Sequence, residues 1–170
     1  MRIFGMYRSL TLARPSMTEF MTKHVQSELE LKHALSVRRR VFIQEQSVPE
    51  SIERDDFDNW APARKDVLHV VGYLGQEPVA AGRVVLEMPG YSYPKIGRIA
   101  VLKSARGQGF GMRVMDCIHD LSASYGVRVV TLSAQCHALA FYESLGYRPT
   151  GDIYLEADIE HQMMEYTLSA

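Results

Sequence analysis

Three glycines within six residues, in the run RGQGFG from Arg106 to Gly111, make the segment of this chain best suited to hold an anion. Glycine leaves backbone amides uncovered and tolerates positive φ, so such a loop can wrap its N–H groups around a phosphate. A helix starting beside Phe110 adds the partial positive charge of its N-terminus, and Arg106 adds a formal one. The segment Arg106, Gly107, Gln108, Gly109, Phe110, Gly111 and Met112 therefore suits a pyrophosphate. Two nucleotide-binding patterns do not fit it. A P-loop ends in Gly-Lys-Ser or Gly-Lys-Thr, where this loop reads Gly-Met-Arg. A dinucleotide fingerprint follows the first strand of its unit and is answered about 20 residues later by an acid. Here several strand-like runs precede the loop, and the next strand ends in TLSAQC without an acid.

The loop follows the apolar run IGRIAVL and is followed in turn by a helical pattern, a strand pattern and QCHALAFYESLGY. In that order the residues resemble the GNAT superfamily of N-acetyltransferases. Arg106, Gly109 and Gly111 match its acetyl-coenzyme A motif, Arg/Gln-x-x-Gly-x-Gly/Ala. Ala138, Phe141, Tyr142, Gly146 and Tyr147 match its second signature, with Gln135 standing where Asn is usual. VFIQEQSVP, ERDDFD and ADIEHQMM further resemble a subgroup of small bacterial predicted acyltransferases of the ElaA and YjcF type. The resemblance spans residues 20–168.

It implies transfer of an acetyl group from acetyl-coenzyme A to a primary amine, on a small molecule or a peptide, by direct attack on the thioester. RIAVL would be a central strand splayed from its neighbour, with Ile99, Ala100 and Val101 offering main-chain groups to the cofactor and the Val101 amide holding the oxyanion. Gln135, Phe141 and Tyr142 would complete the cofactor site. Tyr142 would be the general acid, because a phenol near pKa ~10 stays protonated at neutral pH and can donate to a departing thiolate of pKa ~8.5. Without the resemblance, Tyr142 reads as a helix-packing aromatic beside Phe141.

The base is less sharply marked. Glu45, His161 and the acids Asp55, Asp56 and Asp58 are candidates, with Glu45 and His161 favoured because the subgroup pattern includes both. The bland alternative makes the Asp run a solvated loop, Glu45 a helix-end polar group and His161 a structural hydrogen-bonding residue. An acidic approach would draw in cationic amines such as polyamines, amino sugars or peptide amines. The second function class is an acyl-coenzyme A sensor of the same fold without turnover.

Periodicity supplies the elements that must hold these groups. Phe20 to Gln26 reads as a strand, and Ser27 as the N-cap of one helix or two across ELELKHALSVRRRVFIQEQ, with Arg38 to Arg40 on a solvated face. SVPESIERDDFDNWAPARKD reads as a long loop. VLHVVGYL and VAAGRVVLEM form a hairpin about the four-residue turn GQEP, and KIGRIAVL is the next strand. A helix from Phe110 to Tyr125 closes at Gly126, VRVVTLSA is a buried strand, and HALAFYESLGY is a short helix ending at Gly146. Two last strands turn near Ala157 to Glu160. The order gives mixed α/β (α+β) with one sheet, and the resemblance makes it a single GNAT-like domain over 18–170, its sheet mostly antiparallel and flanked by helices.

Charge and composition narrow the partners. Nineteen Lys and Arg against 20 Asp and Glu give a net charge of −1, without the basic excess expected for nucleic acid or for anchoring on acidic lipid. No apolar run approaches the roughly 18 residues that span a bilayer, and Cys117 and Cys136 make neither a zinc signature nor a disulfide framework. The expectation is a cytoplasmic protein without a metal. Residues 1–17, with Arg2, Arg8 and Arg14 and a second start at Met17, read as a leader without fixed structure or an over-long start. An exposed sheet edge or the GYSYP segment is where a homodimer would form.

Overall fold

The β-branched run VLHVVGYL folds as a strand that is apolar on both faces, as a strand covered on both sides must be. It is the second element of a seven-stranded sheet in a computed structural model that describes residues 19–168. The leader at 1–17 lies outside the described residues. The strands are β1 (Phe20–His24), β2 (Val67–Leu74), β3 (Glu77–Val85), β4 (Lys95–Val101), β5 (Val129–Gln135), β6 (Arg148–Glu156) and β7 (Ile159–Thr167), in the order β1-β2-β3-β4-β5-β7-β6. All neighbours are antiparallel except β4 and β5. That parallel pair is joined through helix α3 (Phe110–Ser124), as parallel strands require a crossover. The helices are α1 (Glu28–Arg38), α2 (Glu50–Glu53), α3 and α4 (Leu139–Ser144).

Local signals account for several boundaries. The Ser27 Oγ accepts the Glu30 amide at 3.2 Å, capping α1. α1 runs on without a break into a π-helical turn, Arg39–Glu45, in which the Gln46 amide reaches back five residues to the Val41 carbonyl. The expected four-residue hairpin turn is shorter: Glu77 and Pro78 already pair with Leu74 and Tyr73, leaving Gly75 and Gln76 as the turn. Ala157 and Asp158, both at positive φ, make the equally tight turn between β6 and β7.

Helices cover both faces of the sheet, and two adjacent β3 residues show how. A side chain at Gly82 would meet Val114 and Ile118 of α3, while Arg83, pointing the other way, reaches the loop packed beside α1. Val70, Val71, Ala80, Ala81, Val84, Ile96, Val114 and Ile118 form the dry centre between these layers.

The arginine run and the acidic loop depart from the expectation of solvated surfaces. Arg38 is 1% exposed, and its guanidinium donates to the Glu53 carboxylate at 2.6 Å and to both oxygens of Asp58 at 2.6 and 2.8 Å. Arg83 adds a bond to Asp58 at 2.9 Å and a paired contact with Asp55. Only Arg39 and Arg40 of the three lie in solvent. Helical spacing points Arg38 inward beside Leu31, Ala34 and Val37, and charge pairing with the loop makes that burial tolerable. α2 and a 3₁₀ turn at Asp56–Asp58 thereby pin the long loop to the sheet.

Burial alone would raise the Asp58 carboxyl, but the Arg38 hydrogen bonds and the Arg38 and Arg83 charges outweigh it and hold it at about 2, against an ordinary 3.8. Because the folded value is the lower one, ionised Asp58 favours folding above about pH 4 and that contribution is lost as pH falls through about 2. Urea titrations across that range should show about 2 kcal/mol of acid-labile stability that disappears in Asp58→Asn. Arg38→Met should cost about 3 kcal/mol at pH 7, since it leaves Glu53 and Asp58 buried with fewer partners; a loss below about 0.5 kcal/mol in the same titration would show the network to be unimportant for stability.

Candidate active site

β4 and β5 pair at only two positions, Lys95 with Thr131 and Ile96 with Leu132, and then separate. Beyond that point the irregular register between β3 and β4 places Arg98 at φ 58 and turns the remaining residues of β4 along the gap. The Leu102 amide donates to the Val79 carbonyl at 2.9 Å, so alternation along the antiparallel pair directs the N–H and C=O of Val101 away from β3 and toward β5. The Val101 carbonyl accepts a bond of 2.9 Å from Arg106 Nε, while β3 makes no claim on its amide. A cleft of about 880 Å³ occupies the gap.

The glycine loop closes one end of this cleft. Gly109 is the residue before α3 and stands at φ 78, a conformation strained for any residue with a side chain. No side chain caps α3, so its first-turn amides remain available at the cleft end where Gly107, Gly109, Phe110, Gly111 and Met112 line the wall. Gly111 also permits a close approach: a β-carbon there would lie 3.4 Å from the Phe141 ring. Gln108 is exposed and is not part of the lining, in contrast to its neighbours.

Arg106 differs from expectation in its electrostatics. Its Nη1 and Nη2 donate to the two Glu45 carboxylate oxygens at 2.7 and 2.8 Å, so its charge is matched within the protein instead of being directed only at the loop. The Arg106 hydrogen bonds hold the Glu45 carboxyl below the usual carboxylate range.

Ile99, Ala100, Val101, Gln135, Phe141, Tyr142, Glu45 and His161, separate in sequence, all line this one cleft. Tyr142 packs edge-on against Phe141 and Tyr147, and burial raises its phenol above the ordinary range. His161 is buried, with Nδ1 2.8 Å from the Ile159 carbonyl oxygen. A carbonyl only accepts, so in the neutral ring Nδ1 carries the hydrogen and Nε2 the lone pair. The acidic run does not join them as a group of bases: Asp55 and Asp58 are engaged by arginines, and Asp56 is not in the lining. The acids that line the cleft are instead Glu45, Glu53 and Glu156.

Sequence reasoning missed several lining residues, among them Gln46, Lys95, Arg98, Ser133 and Glu156. Gln46 directly follows Glu45, and the QEQ string was the available signal. Arg98 had none, because its role depends on the β4 irregularity that carries its guanidinium to the carbonyls of Ile52 and Glu53, each at 3.0 Å. Among the described residues there is no group of three or more His, Cys, Asp or Glu that could hold a metal, and no helix long and apolar enough to cross a membrane.

The model of the acetyltransferase (GNAT) domain matches residues 24–168. The uncharacterized N-acetyltransferase YjcF of Bacillus subtilis (strain 168) is 38% identical over 141 residues, which cover 82% of this chain and 94% of that protein. The crystal structure of Escherichia coli ElaA superposes with a TM-score of 0.73 at 29% identity, covering 86% of this chain and 97% of that one. At 15% identity, an aminoglycoside 6'-N-acetyltransferase complexed with coenzyme A shares the fold with a TM-score of 0.65, over 88% of this chain and 98% of that one. With a splayed strand pair, a glycine loop at the start of a helix and a family match across nearly all the described residues, the chain belongs to the GNAT acetyltransferase family and is an acyltransferase.

Proposed function

We propose that the protein moves an acetyl group from acetyl-coenzyme A to a primary amine by direct transfer. The observation that carries this reading is the Val101 amide, unclaimed by β3 and set in the β4–β5 gap that also holds the glycine loop and Tyr142. The pyrophosphate lies against the amides of Gly107 to Met112, and the pantetheine follows the freed edge of β4 past Ile99 and Ala100. The solved relative with coenzyme A bound supports the choice of cofactor. The rest of the cleft, on the side of Phe42, Arg98, Ser133 and His161, receives the acceptor.

The reaction then follows from the groups present. The amine nitrogen attacks the thioester carbonyl carbon, a C–N bond forms, and the carbonyl electrons move to an oxyanion held by the Val101 N–H. The C–S bond breaks as the oxyanion collapses, and Tyr142 gives its proton to the departing sulfur. A phenol whose pKa is raised by burial stays protonated throughout the neutral range, as an acid in this position must. The proton from nitrogen goes to His161 Nε2, the lone pair left by the bond from Nδ1 to Ile159. Glu45 is not the base in this scheme, because its carboxylate is already engaged by Arg106.

Calorimetric titration of acetyl-coenzyme A should show binding to the wild type and a loss of at least about tenfold in Gly109→Val with Gly111→Val, circular dichroism confirming the fold of both. Well-folded wild type that takes up no heat at millimolar acetyl-coenzyme A would end the proposal. Once an amine screen supplies an acceptor, Tyr142→Phe and His161→Gln should each lower kcat by about 100-fold while leaving acetyl-coenzyme A affinity nearly unchanged. Full turnover by either variant would remove that residue from the mechanism.

A further inference from the structure

Two adjacent residues at the end of the π-helical turn reach opposite banks of the cleft. Glu45 holds Arg106, which in turn holds the Val101 carbonyl at the end of β4. Gln46 meets Gln135 at the end of β5 through a reciprocal pair of amide bonds: Gln135 Nε2 donates to Gln46 Oε1 at 3.0 Å, and Gln46 Nε2 donates to Gln135 Oε1 at 3.3 Å. No ladder bond joins β4 and β5 past Ile96 and Leu132, and these two side-chain links reach the diverging strand ends from one turn of helix.

The geometry points to a two-point brace, Glu45 on the β4 side and Gln46 on the β5 side, that fixes the distance between the strand ends receiving the thioester. The π turn is part of the device. Its wider turn, marked by the bond from the Gln46 amide to the Val41 carbonyl, changes where residues 45 and 46 leave the helix relative to an α-helical path. Gln135 is the other part. At the position where the family signature carries Asn, the longer Gln has the reach to meet a second Gln head to head. Gln46 and Gln135 are thus positioning residues for the reaction, and Glu45 acts through Arg106 rather than on the substrate. The catalytic consequence rests on the reading of the cleft as the acyl-coenzyme A site; the mechanical one does not.

A double-mutant cycle separates the brace from simple contacts with the cofactor. Gln46→Ala and Gln135→Ala should each weaken acetyl-coenzyme A binding by about fivefold, and the double variant should be no worse than either, because each single change already removes both amide bonds. Additive losses would mean that the two amides act independently of each other, and no loss in Gln46→Ala would mean that Gln135 acts alone; either result would overturn the brace. Replacing the amides with a charged pair, Gln46→Lys with Gln135→Glu, should restore affinity to within about twofold, whereas Gln135→Glu alone should not. Amide hydrogen exchange in the ligand-free protein gives a reading independent of the cofactor. Peptides covering 97–101 and 133–135 should exchange faster, and to the same extent, in both single variants, with thermal melting unchanged. Unchanged exchange in both variants would overturn the brace even if coenzyme A binds. Wild type that fails to bind acetyl-coenzyme A would sink the acetyl-transfer reading while the exchange result still decides the brace.

Discussion

A sheet that comes apart along one seam governs everything else in this molecule. Main-chain N–H and C=O groups must find partners or solvent, and a seam opened inside a sheet leaves both of its edges in need of them. In this chain β4 keeps its bonds to β3 and β5 keeps its bonds to β7, so each bank of the seam is anchored from behind. The seam itself is held closed at one end by two residue pairs and remains open at the other. The result is a cleft floored by backbone, where a ligand with its own amides can complete a strand edge.

An opening of this kind has to be supported, and the support is electrostatic on the α1 face. Arg38, Arg83 and Arg98 meet Glu53, Asp55 and Asp58 in a network that includes buried members and ties α1, the loop after it and the β3–β4 irregularity together. Taking such charges out of water costs more than an apolar contact would, so the network is poor as a source of stability compared with a well-packed hydrophobic substitute. What it supplies is placement. A guanidinium has its donors in a fixed planar fork, and Arg38 uses that fork on Glu53 and Asp58 together. The same loop carries the carbonyls that receive Arg98, the residue held at positive φ beside the seam. Backbone strain at Arg98 and its side-chain bonds therefore belong to one arrangement, in which the surroundings fix a conformation that an isolated arginine would avoid.

The opposite face works by packing. Phe20 stacks on Phe110 at 3.9 Å between ring centroids, and Phe141 sits against Gly111, so the start of α3 is fixed by aromatic contact where it has no side-chain cap. The amides of the glycine loop are consequently pre-set, which lowers the ordering cost of any anion that engages them. The two faces meet at Arg106, which belongs to the loop by sequence and to the α1 side by its bond to Glu45.

Much of this was legible along the chain because it is local or periodic. The Ser27 cap, the glycine loop, the apolar stripe of α3 and the alternating strands depend on residues within a few positions of one another, and the order of elements then gave one mixed sheet. The two motifs that carry the family resemblance are local for the same reason: each is a loop or turn with its helix. Tertiary structure decided what charges do. Arg38 reads as one of three solvated arginines, and Asp58 as one acid in an exposed run, until a fold brings residues 20 positions apart within 2.6 Å. Glu45 reads as a base until Arg106, 61 residues later, takes its carboxylate, and Gln46 and Gln135 read as unrelated amides until the π turn brings them together. The sequence by itself determined the elements and the anion loop, because hydrogen bonding and burial periodicity act over short stretches. The partners of Arg38, Arg83, Glu45 and Gln46 were set only by the fold, because an isolated residue's charge or polarity does not specify which distant residue will share its space.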